Sequence, residues 1–400
     1  MAAHSVWWWY TAVCIFSIMG LMMSFYIVEK TYIPLYNRPY SKTPGKLANA
    51  RTRQSASTAR STVTSTISPV VQTEQMREVT LHCKMVCSKS AGDICVPLDL
   101  AVFVYKNDTP TENMTFNQYH YPVVRVASAS NASNESLVLE VERCNLEEHF
   151  PEVELIPRQP SCAVIGNSGI LNNSSCGDFI DSHDFVIRAN GALIKGYEVD
   201  VGKATSLSVI NLTLLLKYGR AMGNTNTTEN LKIRAQFLDR VRTSNIRILW
   251  YPKHLYQPGT HCDYCGKYRS IIDGIRKNGF TGIRFAFSWK GIHVEKAWGL
   301  HRTATLGLDM YAVARTFCSN ITLFGFYPFY KDLEGRAVKY HYFDDVKFNF
   351  SRNRGHSFTG EHSKLKELEK QRKLNLVVRD CKPREGSRHE NTVREPIIDI

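Results

Sequence analysis

The chain has no Gly-x-Gly-x-x-Gly run, and its nearest approach is Gly166-x-x-Gly169. A dinucleotide-binding fingerprint needs the longer glycine pattern, so the oxidoreductase reading of a strand–turn–helix unit loses its support. Zinc-finger spacing, an RNP pattern and a basic heptad array are missing too. The formal charge of +13 therefore points to an anionic partner other than nucleic acid. Cys262-x-x-Cys265 beside His261 has no second pair at finger spacing, which argues against zinc. Asp and Glu are absent from Thr31 to Thr73, and charge of either sign is absent from Trp7 to Val28.

That uncharged run, WWWYTAVCIFSIMGLMMSFYIV, is long enough to span a bilayer, and its Trp cluster suits an interfacial belt. A cleaved signal peptide would have a basic start, a shorter apolar core and a small-residue cleavage site. An uncleaved anchor fits better. Lys30, Arg38, Lys42 and Lys46 follow the run, and no Lys or Arg precedes it. The positive-inside rule taken alone would keep the long C-terminal part in the cytosol. Against it stand sequons starting at Asn107, Asn113, Asn131, Asn134, Asn172, Asn173, Asn211, Asn226, Asn320 and Asn349. Besides Cys14 there are ten cysteines downstream, an even number that reads as a disulfide set. Long domains translocate largely regardless of flanking charge, so the body is expected in a lumen.

The Ser/Thr-rich stretch to Thr73 cannot bury enough apolar surface to fold and reads as a stalk or linker. Glu74 to Asn145 carries cysteines and apolar runs such as Leu100 to Tyr105, and reads as a variable stem or a packing extension. Beyond it, β-rich runs recur at Ala163–Gly166, Phe185–Arg188, Leu207–Ile210, Arg247–Trp250, Arg284–Phe287 and Ile321–Phe324. Helical segments at Glu229–Val241, Tyr268–Asn278 and Gly307–Phe317 alternate with them. This alternation predicts an α/β fold with a mostly parallel sheet flanked by helices.

The most telling stretch is Ser161 to Asn190, SCAVIGNSGILNNSSCGDFIDSHDFVIRAN. Two strands there each end in an asparagine, Asn167 and Asn190, with the turn Asn167-Ser168-Gly169 between them. Strand ends of a parallel sheet are where α/β folds bind nucleotides, and an amide offers both donor and acceptor. This block resembles the large sialyl motif of the animal sialyltransferases, through GNSGIL, CG, IDSHDFV and R-x-N.

Three later stretches resemble that family's other motifs. His301 to Phe329 is similar to the small motif, with Thr305-Leu306-Gly307 standing where the family has Ser-Thr-Gly and Tyr327 where it has Trp. Tyr340-His341-Tyr342-Phe343-Asp344 resembles the third motif in its α-2,8 form, and His356-x-x-x-x-Glu361 the very short motif, without the family's internal proline. The resemblance implies donor binding by Asn167, Ser168, Asn190, Thr305, Leu306, Gly307, Tyr327 and Tyr340. It implies His341 near the leaving phosphate, His356 as general base and Glu361 in support. A histidine suits proton removal near neutral pH. The same resemblance implies disulfides Cys162–Cys318 and, in the α-2,8 branch, Cys176–Cys381.

The expected fold is thus one Rossmann-like, GT-A-like variant domain preceded by a transmembrane helix and stem. The segments are a cytosolic tail (1–6), an anchor (7–28), a stem (29–145), a lumenal catalytic domain (146–382) and a tail (383–400). The resemblance implies transfer from CMP-sialic acid to a sialylated glycan on glycoprotein or glycolipid, α-2,8 and inverting, by a single-pass type II Golgi membrane protein, with a homodimer allowed. No Asp-x-Asp triplet occurs, in keeping with a donor that has one phosphate, so no metal or cofactor is expected. Another linkage, or a binding protein with little turnover, are the alternatives.

Overall fold

The computed structural model describes residues 76–106, 123–127, 137–223, 227–252, 263–288, 293–347, 355–378 and 380–381. The expected anchor, stalk, C-terminal tail and Cys262/Cys265 pair lie outside the described residues or side chains. Among the described residues no helix is long and apolar enough to cross a membrane.

The first part of the chain contributes β1 (Met76–Ser88), β2 (Ile94–Pro97), β3 (Val102–Tyr105), β4 (Val123–Ala127) and β5 (Leu137–Asn145), then α1 (Leu146–His149) and β6 (Val153–Glu154). β1 pairs antiparallel with β2 and β4 and parallel with β5, giving a four-stranded sheet. Disulfides Cys83–Cys144 and Cys87–Cys95 cross-link it. The β1–β2 turn is held to α1 by Glu147, whose Oε1 accepts from Ser88 Oγ at 2.7 Å and from Ser90 Oγ at 2.8 Å.

β3 takes a different course. All four of its residues, Val-Phe-Val-Tyr, are buried, and it pairs antiparallel with a strand of the large sheet. A continuous apolar run has no polar face to show solvent, so it belongs inside a layered core. Residues of the stretch read as stem or packing extension therefore complete the main sheet.

The rest of the chain alternates strand and helix as the patterning predicts. In order come β7 (Gln159–Ile165), α2 (Gly177–Asp181), β8 (Phe185–Ala189), α3 (Glu198–Val201) and β9 (Thr205–Val209). Then follow α4 (Leu212–Met222), α5 (Thr228–Thr243), β10 (Ile246–Tyr251), α6 (Asp263–Lys277) and β11 (Arg284–Ser288). The last elements are α7 (Leu306–Ala314), β12 (Cys318–Phe324), α8 (Phe358–Lys370) and β13 (Asn375–Val377). Helix α7 ends three residues before the expected Phe317, because β12 already begins at Cys318.

The large sheet runs β13-β12-β7-β8-β9-β10-β11-β3-β6, with β13 through β11 mutually parallel. It is covered on both faces. Cys162 and Val164 of β7 point into a core shared with Leu308 of α7 and Leu365 of α8. Ala163 and Ile165, alternating with them, meet Ile180 of α2 and Val201 of α3. Leu249 and Tyr251 of β10 pack with Leu215, Phe237 and Tyr268 of α4, α5 and α6. Each such large apolar side chain contributes about 1.5–3 kcal/mol on burial.

Candidate active site at the switch point of the sheet

β7 is the first parallel strand in sequence. β8 to β11 are added on one side of it, and β12 and β13 on the other. The strand order reverses between β7 and β12, and the crevice beyond their carboxyl ends is the usual ligand site of such a sheet. The loops leaving these two strands touch backbone to backbone. Gly166 N donates to Phe324 O at 2.7 Å, and Ser168 N to Gly325 O at 3.2 Å. A Cβ on Gly166 would lie 2.4 Å from Gly325 O, so no side chain fits there.

The loop after β7 also gathers the third motif. Gly169 N donates to Lys339 O at 3.0 Å, and the Asn167 carbonyl accepts from Tyr342 N at 3.0 Å. The side chain of Asn167 keeps a buried Oδ1 that no group among the described residues satisfies. Such an atom costs free energy unless a bound donor meets it. Ser168 is buried, and its hydroxyl accepts from Ile170 N at 3.3 Å. Asn190 follows β8 directly at φ +61°, a left-handed conformation that Asn tolerates better than most residues. Its Oδ1 accepts from Asn211 N at 3.1 Å, which leaves its Nδ2 for other partners.

The start of α7 is organised by Glu361. Thr305 caps the helix, its Oγ1 accepting from Leu308 N at 3.4 Å. Its N–H donates to Glu361 Oε1 at 3.0 Å and its hydroxyl to Glu361 Oε2 at 2.5 Å. Burial pushes the Glu361 carboxyl above its usual range, while these donated bonds and the nearby His356 pull the other way. Gly307 is held against the Phe326 ring, where a Cβ would sit 2.7 Å from Cε1. Leu306 packs against the main core rather than offering a hydroxyl. Tyr327 is buried and donates to Lys331 O at 2.8 Å.

Two histidines sit on segments tied to these loops. His341 Nδ1 lies 2.8 Å from Asp344 Oδ2, and its ring stacks on Phe343 with centroids 5.2 Å apart and 9° between planes. His356 Nδ1 lies 2.8 Å from the Thr303 carbonyl. A carbonyl can only accept, so the neutral ring carries its proton on Nδ1 and leaves the Nε2 lone pair free, the tautomer a base requires. A run of rings joins the two: His341 to Tyr340 at 4.5 Å, Tyr340 to Phe358 at 6.5 Å and Phe358 to His356 at 5.9 Å. The four motifs, far apart in sequence, thus meet through named contacts.

Four further residues around the site are given no role by the motif reading. Arg188 of β8 is buried, donating from Nε to Ala204 O at 2.8 Å and from Nη2 to Val201 O at 2.6 Å. Burial lowers its guanidinium to about 10, with Tyr342 and Asp181 pulling the other way. In sequence it is the Arg of the R-x-N piece and a charge inside the apolar run of β8, with no role assigned to it. His362 lies next to Glu361, 3.2 Å by Nδ1 from Phe326 O and edge-on to Tyr327 and Phe329, so it pins the aromatic turn. Arg240 sits 5.9 Å over the Phe343 ring, its Nη1 3.5 Å from Gly191 O. Glu295 gives no signal in sequence. The disulfide Cys162–Cys318 ties β7 to β12, and Cys176–Cys381 ties the start of α2 to the segment after β13. Among the described residues no group of three or more His, Cys, Asp or Glu could hold a metal ion.

The model of glycosyltransferase family 29 (sialyltransferase) matches residues 103–373, more than half of the chain. The chain belongs to glycosyltransferase family 29. Within this family, a relative from Mus musculus, alpha-2,8-sialyltransferase 8F, is 32% identical over 252 residues. The match covers 60% of this chain and 58% of that protein, so the chain spans under two thirds of its length. The relative agrees with the α-2,8 branch to which the motifs point. A crystal structure of a mammalian sialyltransferase matches with TM-score 0.35 and 18% identity, over 56% of this chain and 70% of that one. A second, in complex with Gal-beta-1-3GalNAc-ortho-nitrophenol, matches with TM-score 0.35 and 19% identity, over 55% and 70%.

Proposed function

We propose that this family 29 member transfers sialic acid from CMP-sialic acid to the 8-hydroxyl of a sialylated glycan on a glycoprotein or glycolipid. The observation carrying the reading is the Nδ1–Thr303 bond, which in the neutral ring leaves the proton off Nε2 of His356. In the proposed step that nitrogen takes the proton of the acceptor hydroxyl. The acceptor oxygen bonds to the anomeric carbon, the bond from that carbon to the phosphate oxygen breaks, and CMP leaves with the electron pair. A single displacement of this kind inverts the anomeric centre. Asn167, Ser168, Asn190, Thr305, Leu306, Gly307, Tyr327 and Tyr340 form the donor site in this reading. His341, oriented by Asp344, faces the phosphate; Glu361 supports the α7 start. One phosphate needs little neutralisation, so the transfer is read as metal-independent and free of cofactors.

The chain is further proposed to be a type II Golgi membrane protein, anchored by 7–28 and separated by a stem from a lumenal domain, either alone or as a homodimer. A second reading, a glycan- or nucleotide-sugar-binding protein with little turnover, is favoured by one observation: Leu306 and Thr305 are engaged by core and Glu361. One experiment separates these readings. The purified full-length chain is incubated with CMP-sialic acid and a panel of sialylated and asialo acceptors, and product linkage is determined. α-2,8 product that falls at least 100-fold in His356→Ala is expected. Only α-2,3 or α-2,6 product would overturn the linkage, undiminished turnover in His356→Ala the base, and no turnover at all would favour the binding reading.

A further inference from the structure

Between β11 and α7 the chain makes one helical turn, closed by Trp298 N to Val294 O at 3.1 Å and Leu300 N to Glu295 O at 2.8 Å. Val294 is buried in the main core, and the Trp298 ring packs 5.7 Å from Tyr311 of α7, so the turn is rigidly seated. It presents Glu295, whose side chain is only 14% exposed. Oε1 of Glu295 lies 3.0 Å from His293 Nδ1, and Oε2 accepts from Ala304 N at 3.4 Å.

Ala304 N and Thr303 O belong to one peptide unit. Glu295 holds the N–H end of that unit, and His356 donates its Nδ1–H to the oxygen at the other end. The peptide is planar and trans, so fixing its N–H fixes the direction of its carbonyl. A carboxylate against the N–H also draws electron density toward the carbonyl oxygen, because hydrogen bonds in a chain polarise one another. The next N–H, that of Thr305, is taken by Glu361. Two carboxylates therefore clamp the strap Thr303–Thr305 from outside the helix. In hydrolases a buried carboxylate holds a catalytic imidazole directly. Here the same task falls to a carboxylate and an intervening peptide.

We propose that Glu295 is a positioning residue for the reaction, acting through the Thr303–Ala304 peptide on His356. It holds the imidazole in the Nδ1–H tautomer and in one orientation, so that Nε2 meets the acceptor hydroxyl. This rests on the reading of His356 as the base. His293, on the other carboxylate oxygen, is the only side chain that Glu295 bonds among the described residues. It is 61% exposed and offers no such fixed path to the crevice.

The test compares Glu295→Ala, Glu295→Gln, His356→Ala and Glu295→Ala/His356→Ala in the full-length chain, measuring kcat and both KM values. Glu295→Ala is expected to lower kcat roughly 10- to 100-fold, the scale of a misplaced catalytic group, with both KM values within about twofold. The isosteric Glu295→Gln still accepts from Ala304 N but lacks the charge, so it is expected to recover most of that loss. In the His356→Ala background the Glu295 change is expected to add nothing, since it acts through the missing ring. Wild-type kcat in folded Glu295→Ala, or a loss confined to KM, would overturn the proposal. So would an undiminished additional loss in the double variant. If His356→Ala itself keeps wild-type kcat, the underlying base assignment fails instead, and the two failures are told apart.

Discussion

At the scale of single residues, the site is built from close approaches as much as from reactive groups. Gly169 opens a single tight turn after β7, and a Cβ there would lie 2.6 Å from the Lys339 carbonyl and 2.7 Å from its nitrogen. Both are backbone atoms and cannot rotate away. Gly169→Ala should therefore push out the segment carrying Tyr340 and His341, costing about 1–3 kcal/mol as an overpacked site does. Thermal unfolding, together with a drop in kcat larger than the loss of folded protein, would check this. An unchanged Tm would mean that the 339 segment yields freely. Motif patterns mark glycine positions like this one, but they are silent on which atoms the missing Cβ would strike. Glu295 shows the limit more sharply. Its role depends on a peptide nine residues away in sequence and on an imidazole sixty-one residues away, and neither has a local signature.

Among elements, the contrast lies between the sheet strands and the pieces around them. β7 to β12 were legible because parallel strands buried on both faces read as short apolar runs between turn residues. The N-terminal sheet was not, since its strands are held by pairings across loops and by two disulfides rather than by a repeating pattern. α1 is one turn long and survives on its contacts. Asn145 caps it, Oδ1 accepting from Glu147 N at 3.0 Å, and Glu147 binds the β1–β2 turn. Burial would raise the Glu147 carboxyl, but hydroxyl bonds from Ser88 and Ser90 and two backbone amides outweigh it and bring it down to about 2. A lowered carboxyl favours the folded state above its unfolded value near 4.3, and that support disappears as pH falls through about 2. Glu147→Gln is therefore expected to be less stable than wild type at pH 6, with the gap closing between about pH 4.3 and 2. Denaturant midpoints across that range are the measurement; a gap that widens with acid would refute the assignment.

For the whole molecule, the topology decides where chemistry can occur. β12 returns from the far end of the sheet to lie beside β7, placing the small-motif turn against the large-motif loop. The donor site proposed there exists only in the folded chain, so a nucleotide sugar bound to it must stabilise the fold by mass action. At a hundred times its Kd, CMP-sialic acid should add about 2.7 kcal/mol and raise Tm accordingly. Asn167→Ala, which removes the buried Oδ1 left without a partner among the described residues, should sharply reduce the shift. An equal shift in that variant would place the nucleotide elsewhere.

Read alone, the sequence determined the α/β class, the order of the main strands and helices, and the four motif positions. These depend on apolar runs, turn residues and short spacings, all of which are local. Tertiary structure alone decided that β3 joins the large sheet, that Thr305 is bound by Glu361, and that one peptide stands between Glu295 and His356. Each of those is a hydrogen bond or pairing between separate segments, from nine to more than a hundred residues apart. Such contacts exist only once the chain has closed the loops between them, and no local pattern encodes them.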